Sequence, residues 1–210
     1  MKRTIALLCA LLLVFFTLTA CGGSYDKPQK TAKTFFKAVQ TLDVAAINAC
    51  GENGRLVEWE LLQQPVADDD AQLLAFLREL AAKISYRITE TVVDGDIATV
   101  QAAVSYADAA MLVKSTMTDV MADMLTALFS DAGEEDGWTR FFAKLNENLK
   151  TQSPTEQTTD VTLSMVKTDD GWRIREMPDA MLTVMTGNSI ETLREAADTF
   201  SGVASAQVEA

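Results

Sequence analysis

The spacing of apolar residues changes four times along the chain, and this pattern limits the folds open to it. Apolar positions recur every three or four residues over 28–83, as in amphipathic helices, and alternate over 84–106, as in half-buried strands. Helical spacing returns over 108–152, alternation over 161–174, and helical spacing again over 188–202. This order predicts an α+β fold, in which N-terminal helices pack on a curved antiparallel sheet of about four strands, with an inserted helical hairpin and a C-terminal helix.

Capping and helix-breaking residues predict where several of the helices begin and end. Pro28 suits a first helical turn, and Asp43 is a plausible N-cap for a short second helix. Residues 55–83 are predicted to continue as helix in two pieces divided at Pro65. Asn188 is predicted to cap the C-terminal helix.

The first two strands admit two registers. A two-residue turn at Asp94-Gly95 would pair Val92 with Ile97 and place the two apolar rows on opposite faces of the hairpin. A three-residue loop over 93–95, with Gly95 in the left-handed conformation, instead pairs Val92 with Asp96 and keeps a single apolar face. We therefore predict the three-residue loop.

That register places a carboxylate on the apolar face. Glu90 would lie between Ile88 and Val92, with Tyr86 and Tyr106 as polar partners on the same face. In an apolar cavity its pKa would be raised, and it could act as a general base or bind a ligand amine; at the rim of the sheet it would lie in water. Tyr86, Glu90 and Tyr106 are the candidate ligand-binding residues.

The second hairpin requires an even loop to keep one apolar face. A two-residue Asp170-Gly171 turn would pair Met165 with Glu176 and Lys167 with Ile174. Between the two pairs of strands, residues 108–152 carry two helical stripes joined by a turn at 130–137. The methionines of the first stripe fit core packing better than a pliable binding surface, although both interpretations are open.

The N-terminal segment has the order of a bacterial export signal. Lys2 and Arg3 precede an apolar run that is too short to span a membrane. Leu18-Thr19-Ala20-Cys21 resembles the lipobox of bacterial lipoproteins, which implies diacylglycerol transfer to the Cys21 sulfur, cleavage before it and acylation of the new amino group. We expect a signal peptide at 1–20, a lipidated tether at 21–27, one domain at 28–202 and a flexible tail at 203–210.

Charge and reactive residues exclude several classes of function. Without residues 1–20 the chain has sixteen cations and thirty acids, a net charge of −14, which disfavours nucleic acid and anionic lipid as partners. Membrane attachment should then come from the lipid rather than from a basic patch. Histidine is absent, which excludes serine–histidine triads and histidine metal sites. Cys50 is the one cysteine left after export and lipidation, and we expect a buried thiol. No cofactor or metal site is predicted.

The order of elements resembles a known superfamily. The helical segments Thr-Phe-Phe-Lys-Ala-Val-Gln at 34–40 and Asp-Val-Ala-Ala at 43–46, with the hairpin Asp-Gly-Trp-Arg-Ile at 170–174, look like the nuclear transport factor 2-like superfamily, with its cystatin-like sheet. The resemblance implies a cone-shaped sheet around the first helix. Isomerases and dehydratases of that fold use an aspartate base, but none of their motifs matches here. The hairpin at 108–152 departs from the pattern and could cover the mouth of the cone.

Three classes of function are compatible with the sequence. The first is a non-catalytic binding or interaction module, lipid-anchored on the extracytoplasmic face of the cell membrane, with a small apolar ligand or another envelope protein as its partner. The second is a small isomerase-like or dehydratase-like enzyme working through Glu90. The third is a structural envelope protein that self-associates through the helical hairpin.

Overall fold

The computed structural model describes residues 27–57, 68–127, 137–196 and 198. The signal peptide, Cys21, the region around Pro65, the turn of the helical hairpin and the C-terminal tail lie outside these residues. The elements are α1 (Pro28–Gln40), α2 (Val44–Ala49), α3 (Asp68–Ala82), β1 (Ser85–Asp94), β2 (Ile97–Asp108), α4 (Ala110–Ala127), α5 (Gly137–Thr151), β3 (Thr155–Thr168), β4 (Gly171–Ile174) and α6 (Asp179–Thr186). Residues 190–196 are also helical. The predicted α+β class is confirmed.

The antiparallel sheet has the strand order β1-β2-β3-β4 and carries the core on one face, which we call the inner face. On β2 every second residue from Ala98 to Tyr106 is buried, and on β3 the buried set continues with Val161, Leu163 and Met165. Helix α1 packs on this sheet, and its Phe35 and Phe36 are fully buried. Burying one such side chain contributes about 1.5–3 kcal/mol, so the seam between α1 and the inner face is a large part of the core.

The predicted register of the first hairpin is wrong. The loop has two residues, Gly95 and Asp96, and Asp94 lies opposite Ile97. A β-bulge at Thr89 lets this tight turn coexist with one apolar face, because the extra residue exchanges the faces of all residues that follow it. Gly95 has φ +59°, the conformation that such turns require.

The second hairpin keeps the predicted even loop but not its position. Asp169 and Asp170 form the turn, so Met165 lies opposite Ile174 and Lys167 opposite Trp172. The register therefore differs by two residues from the prediction. Because side chains alternate with a period of two, this shift leaves each of them on the predicted face.

Most of these helices begin at the positions that the capping residues predicted. The Asp43 side chain accepts a hydrogen bond from the backbone N–H of Ala46 at 3.0 Å, as an N-cap should. At the C-terminal helix the carbonyl of Ser189, rather than that of Asn188, accepts the first helical bond, from Leu193 N–H. Asn188 instead adopts φ +57° in the link between helices. No helix in the described part of the chain has the length and hydropathy needed to cross a bilayer.

Helix α6 was not predicted. It follows Pro178 and buries Met181, Val184 and Met185, which are three residues and one residue apart. This spacing was visible in the sequence as a short amphipathic stripe. The helix is two turns long, and it is stabilised by packing on α3, β2 and β3.

The inserted helical hairpin belongs to the core of the domain. Helix α5 packs on α4 and on α3, and buries Phe141, Phe142 and Leu145. Asn148 donates a hydrogen bond to the Thr116 hydroxyl at 2.9 Å, and both side chains are buried between the two helices. Met117, Met121 and Met124 are partly buried against the core, which agrees with core packing as the role of these methionines.

Candidate functional site

The predicted ligand-binding residues divide between the two faces of the sheet. Tyr86 lies opposite Val104 on the inner face, and Tyr106 lies on that face two residues further along β2. Glu90 lies opposite Gln101, and both side chains are exposed on the other face. The predicted position of Glu90 on the apolar face is therefore wrong, because the bulge at Thr89 turns it outward. The two tyrosines therefore share the inner face on neighbouring strands, and the carboxylate lies on the opposite face.

The first tyrosine is positioned by helix α1. The ring of Tyr86 stacks on the ring of Phe36, with a centroid distance of 4.5 Å and an interplanar angle of 21°. Offset stacking of this kind stabilises aromatic pairs beyond the area that they bury. Tyr86 remains partly exposed, so its phenol lies at the edge of the buried seam.

The second tyrosine lies at the end of β2, where the chain enters α4. Tyr106 is buried apart from 7% of its surface, and burial, together with the nearby carboxylate of Asp108, raises its pKa. The phenol therefore stays protonated at neutral pH. Within the described ranges neither Tyr86 nor Tyr106 forms a hydrogen bond through its hydroxyl. A phenol hydroxyl is both a donor and an acceptor, so each tyrosine has hydrogen-bonding capacity that the described residues do not use.

A polar junction fixes the backbone next to Tyr106. One carboxylate oxygen of Asp108 accepts a hydrogen bond from Ala110 N–H at 3.1 Å, and the other accepts one from the Asn188 side chain at 3.1 Å. The Ala109 N–H donates to the carbonyl of Gly187 at 2.8 Å. The end of β2, the start of α4 and the link after α6 are thus tied together beside the inner face.

Other reactive groups have structural explanations. Cys50 is a free, buried thiol, as predicted, and its burial raises its pKa. Its sulfur donates to the carbonyl of Ala46 at 3.4 Å. Among the described residues no group of three or more cysteines and acids could hold a metal ion.

One charged surface was missed in the sequence. Helix α1 exposes Lys30, Lys33 and Lys37 on one side, and Lys27 is exposed just before it. The signal in the sequence is the spacing of three and four residues between these lysines, which places them on one side of a helix. The total charge, which is strongly acidic, does not show such a local concentration of cations. We call these four residues the lysine face.

Comparison with known proteins identifies no family for the chain. No family model matches it, and no curated protein matches it at a significant level. A protein provisionally described as a lipoprotein (ycdA) from Bacillus subtilis is similar to 51% of this chain, with 22% identity and a TM-score of 0.41; the match spans 34% of the Bacillus chain. A protein provisionally described as a ketosteroid isomerase from Shewanella frigidimarina is also similar, with 15% identity and a TM-score of 0.33. The match covers 73% of this chain and 94% of the Shewanella chain. Likenesses at these TM-scores assign neither family nor function.

Proposed function

We propose that the chain is a lipoprotein anchored through Cys21 on the extracytoplasmic face of the membrane, and that its folded domain is a non-catalytic binding or interaction module. The observation that carries the anchor is the order of cations, apolar run and Leu18-Thr19-Ala20-Cys21. Helix α1 begins at Pro28, whose side chain is already buried. Only six residues therefore separate the acylated cysteine from the folded domain.

The distribution of side chains between the two faces of β1 supports a binding role rather than a catalytic one. The enzyme hypothesis depended on a carboxylate inside the sheet, and the bulge at Thr89 places Glu90 in water instead. Tyr86 and Tyr106, whose aromatic bodies lie on the apolar inner face, are suited to hold a small ligand by apolar contact and one or two hydrogen bonds. Neither side chain is the carboxylate base that the enzyme hypothesis requires.

The anchor is tested on membrane fractions of cells that produce the full chain. Mass spectrometry should find an N-terminal peptide that begins at Cys21 and carries the mass of a diacylglyceryl group. A Cys21→Ser variant should lack this mass, whereas Cys50→Ser, which changes the buried thiol, should keep it. An unmodified wild-type peptide, or an acylated Cys21→Ser chain, would contradict the proposal.

The binding role is tested by a screen of small apolar ligands against thermal unfolding. A ligand held by the inner face should raise the unfolding temperature of wild type and of Glu90→Gln equally, and raise it less in Tyr106→Phe, which loses one donor. If Glu90→Gln abolished the response instead, the enzyme-like alternative would be favoured.

Self-association through the helical hairpin needs point substitutions for its test. Deletion of 108–152 would remove Phe141 and Leu145 from the core and unfold the domain. Met111 and Leu125 on α4 are 75% and 57% exposed, so Met111→Ser with Leu125→Ser can disturb a protein contact without emptying the core. If wild type forms a concentration-dependent oligomer and the double variant does not, the structural alternative would be supported.

A further inference from the structure

Helix α1 separates apolar and cationic residues onto opposite sides. Ala32, Phe35, Phe36 and Val39 are buried against the sheet. The exposed side carries the lysine face, with glutamine and threonine as its other polar residues. No acid occurs between Lys27 and Leu42. The charged residues of 27–42 are therefore all cations, on a chain whose net charge is −12.

The helix dipole favours Lys37, which lies in the last turn, but not the lysines at the start of the helix. The positive end of the helix dipole lies at the N-terminus, where anions stabilise a helix and cations destabilise it, yet Lys27 and Lys30 lie at that end. Within the described part of the chain no ion pair joins Lys27, Lys33 or Lys37 to a carboxylate. Of the sixteen cations after residue 20, four are concentrated in the eleven residues from Lys27 to Lys37. The surface is therefore suited to an anionic partner.

The position of α1 identifies that partner. Six residues extend at most about 20 Å, so Cys21 holds the start of α1 within reach of the headgroups. At physiological ionic strength charges are screened beyond about 8 Å, so the lysines in contact with a surface act more strongly on it than the distant acids of the domain. Basic segments beside a membrane anchor are attracted to anionic lipid.

We propose that the lysine face of α1 binds the anionic headgroups of the bilayer that holds Cys21, and so fixes the orientation of the domain on the membrane. This inference rests on the proposed lipid anchor. It revises the expectation that attachment comes from the lipid alone, since that expectation used the total charge and not its distribution. Two attachments, one acyl and one electrostatic, hold a protein in one orientation better than a tether alone.

The test measures the access of a reagent to single lysines on the full acylated chain. The chain is reconstituted on vesicles of phosphatidylcholine, or of phosphatidylcholine with about 30% phosphatidylglycerol, and briefly treated with an amine-acetylating reagent. On anionic vesicles, Lys33 and Lys37 should react about threefold to fivefold more slowly, and about 0.5 M salt should restore their rates. Lys114 and Lys150, exposed on α4 and α5, should react equally on both vesicles.

Matched variants distinguish the effect of the lysine face from the effect of the total charge of the protein. Lys33→Gln with Lys37→Gln should raise the reactivity of Lys27 on anionic vesicles, whereas Lys114→Gln with Lys150→Gln, an equal change of charge, should not. Equal reaction of Lys33 and Lys37 on both vesicles would overturn this inference alone. The mass of the Cys21 peptide is read in the same samples, and an unacylated peptide would instead overturn the proposed function.

Discussion

Gly187 is a position where a single methyl group should be costly. It ends α6 with φ +57°, and a Cβ there would lie 2.6 Å from the carbonyl oxygen of Ala107. We expect Gly187→Ala to lower the free energy of unfolding by about 2–4 kcal/mol, since the left-handed conformation costs about 1–2 kcal/mol and the backbone contact adds to it. Gly95→Ala has φ +59° but no atom within 4 Å, so it should cost about 1–2 kcal/mol. Urea unfolding measures both, and equal costs would contradict the predicted clash.

Cys50 should make stability depend on pH in the alkaline range. Burial raises the pKa of its thiol from 9.0, partly offset by Arg173, so the folded state keeps the proton at a pH where the unfolded chain loses it. The stability contributed by this group is complete below about pH 9 and is lost as pH rises through the folded-state pKa, with a slope of at most about 1.4 kcal/mol per pH unit.

Urea unfolding at a series of pH values measures this dependence. The raised pKa of Tyr106 acts in the same direction, but only from about pH 10, the ordinary range of a phenol. Cys50→Ala should therefore remove the part of the slope that begins near pH 9 and leave the part that Tyr106 contributes from about pH 10. A variant whose slope is unchanged from about pH 9 would show that the thiol does not cause it.

Among the elements, β1 offers a direct test of its bulge. Thr91 lies opposite the buried Val100 and accepts a hydrogen bond from Gln29 at 3.1 Å, whereas its neighbour Glu90 is exposed. Thr91→Glu should lower the free energy of unfolding by about 2–3 kcal/mol, because it places a charge against the inner face. Glu90→Thr should change it by less than about 0.5 kcal/mol. The opposite order in urea unfolding would favour the regular register in which Glu90 points inward.

The two helices of the inserted hairpin should be energetically coupled through Thr116 and Asn148. The Thr116 hydroxyl accepts from Asn148 and itself donates to the carbonyl of Leu112 at 2.8 Å, so both side chains have partners in the interior. Thr116→Val alone would leave the buried Asn148 amide without this acceptor, at about 1–3 kcal/mol, whereas Asn148→Leu alone should cost less, because the Thr116 hydroxyl keeps its bond to Leu112. A double-mutant cycle should give a coupling energy of about 1 kcal/mol, and strict additivity would contradict the prediction.

For the whole molecule, sequence predicted the elements better than the way they are paired. Apolar spacing located the strands and the long helices because it records which side of each element is buried. Both hairpin registers failed, the first because a bulge at Thr89 carries no composition signal of its own, the second because Asp169-Asp170 and Asp170-Gly171 are both good turns. The error in the first register moved Glu90 across the sheet, and with it the predicted site. Tyr86 and Tyr106 were placed correctly because neither lies beyond the bulge.

The hydroxyl of Thr31 on α1 donates to the carbonyl of Trp172 on β4, a residue 141 positions later in the chain. The backbone of Ile174 likewise exchanges hydrogen bonds with Cys50 and Glu52, just after α2. At about 5–20 residues per second, synthesis of the chain between Thr31 and Trp172 takes about 7 to 28 seconds, and α1 lacks β4 for that interval. For that interval the apolar side of α1 lacks the part of its covering that β4 provides. Chaperone protection should matter most for this nascent chain, and truncation before β4 should leave it aggregation-prone.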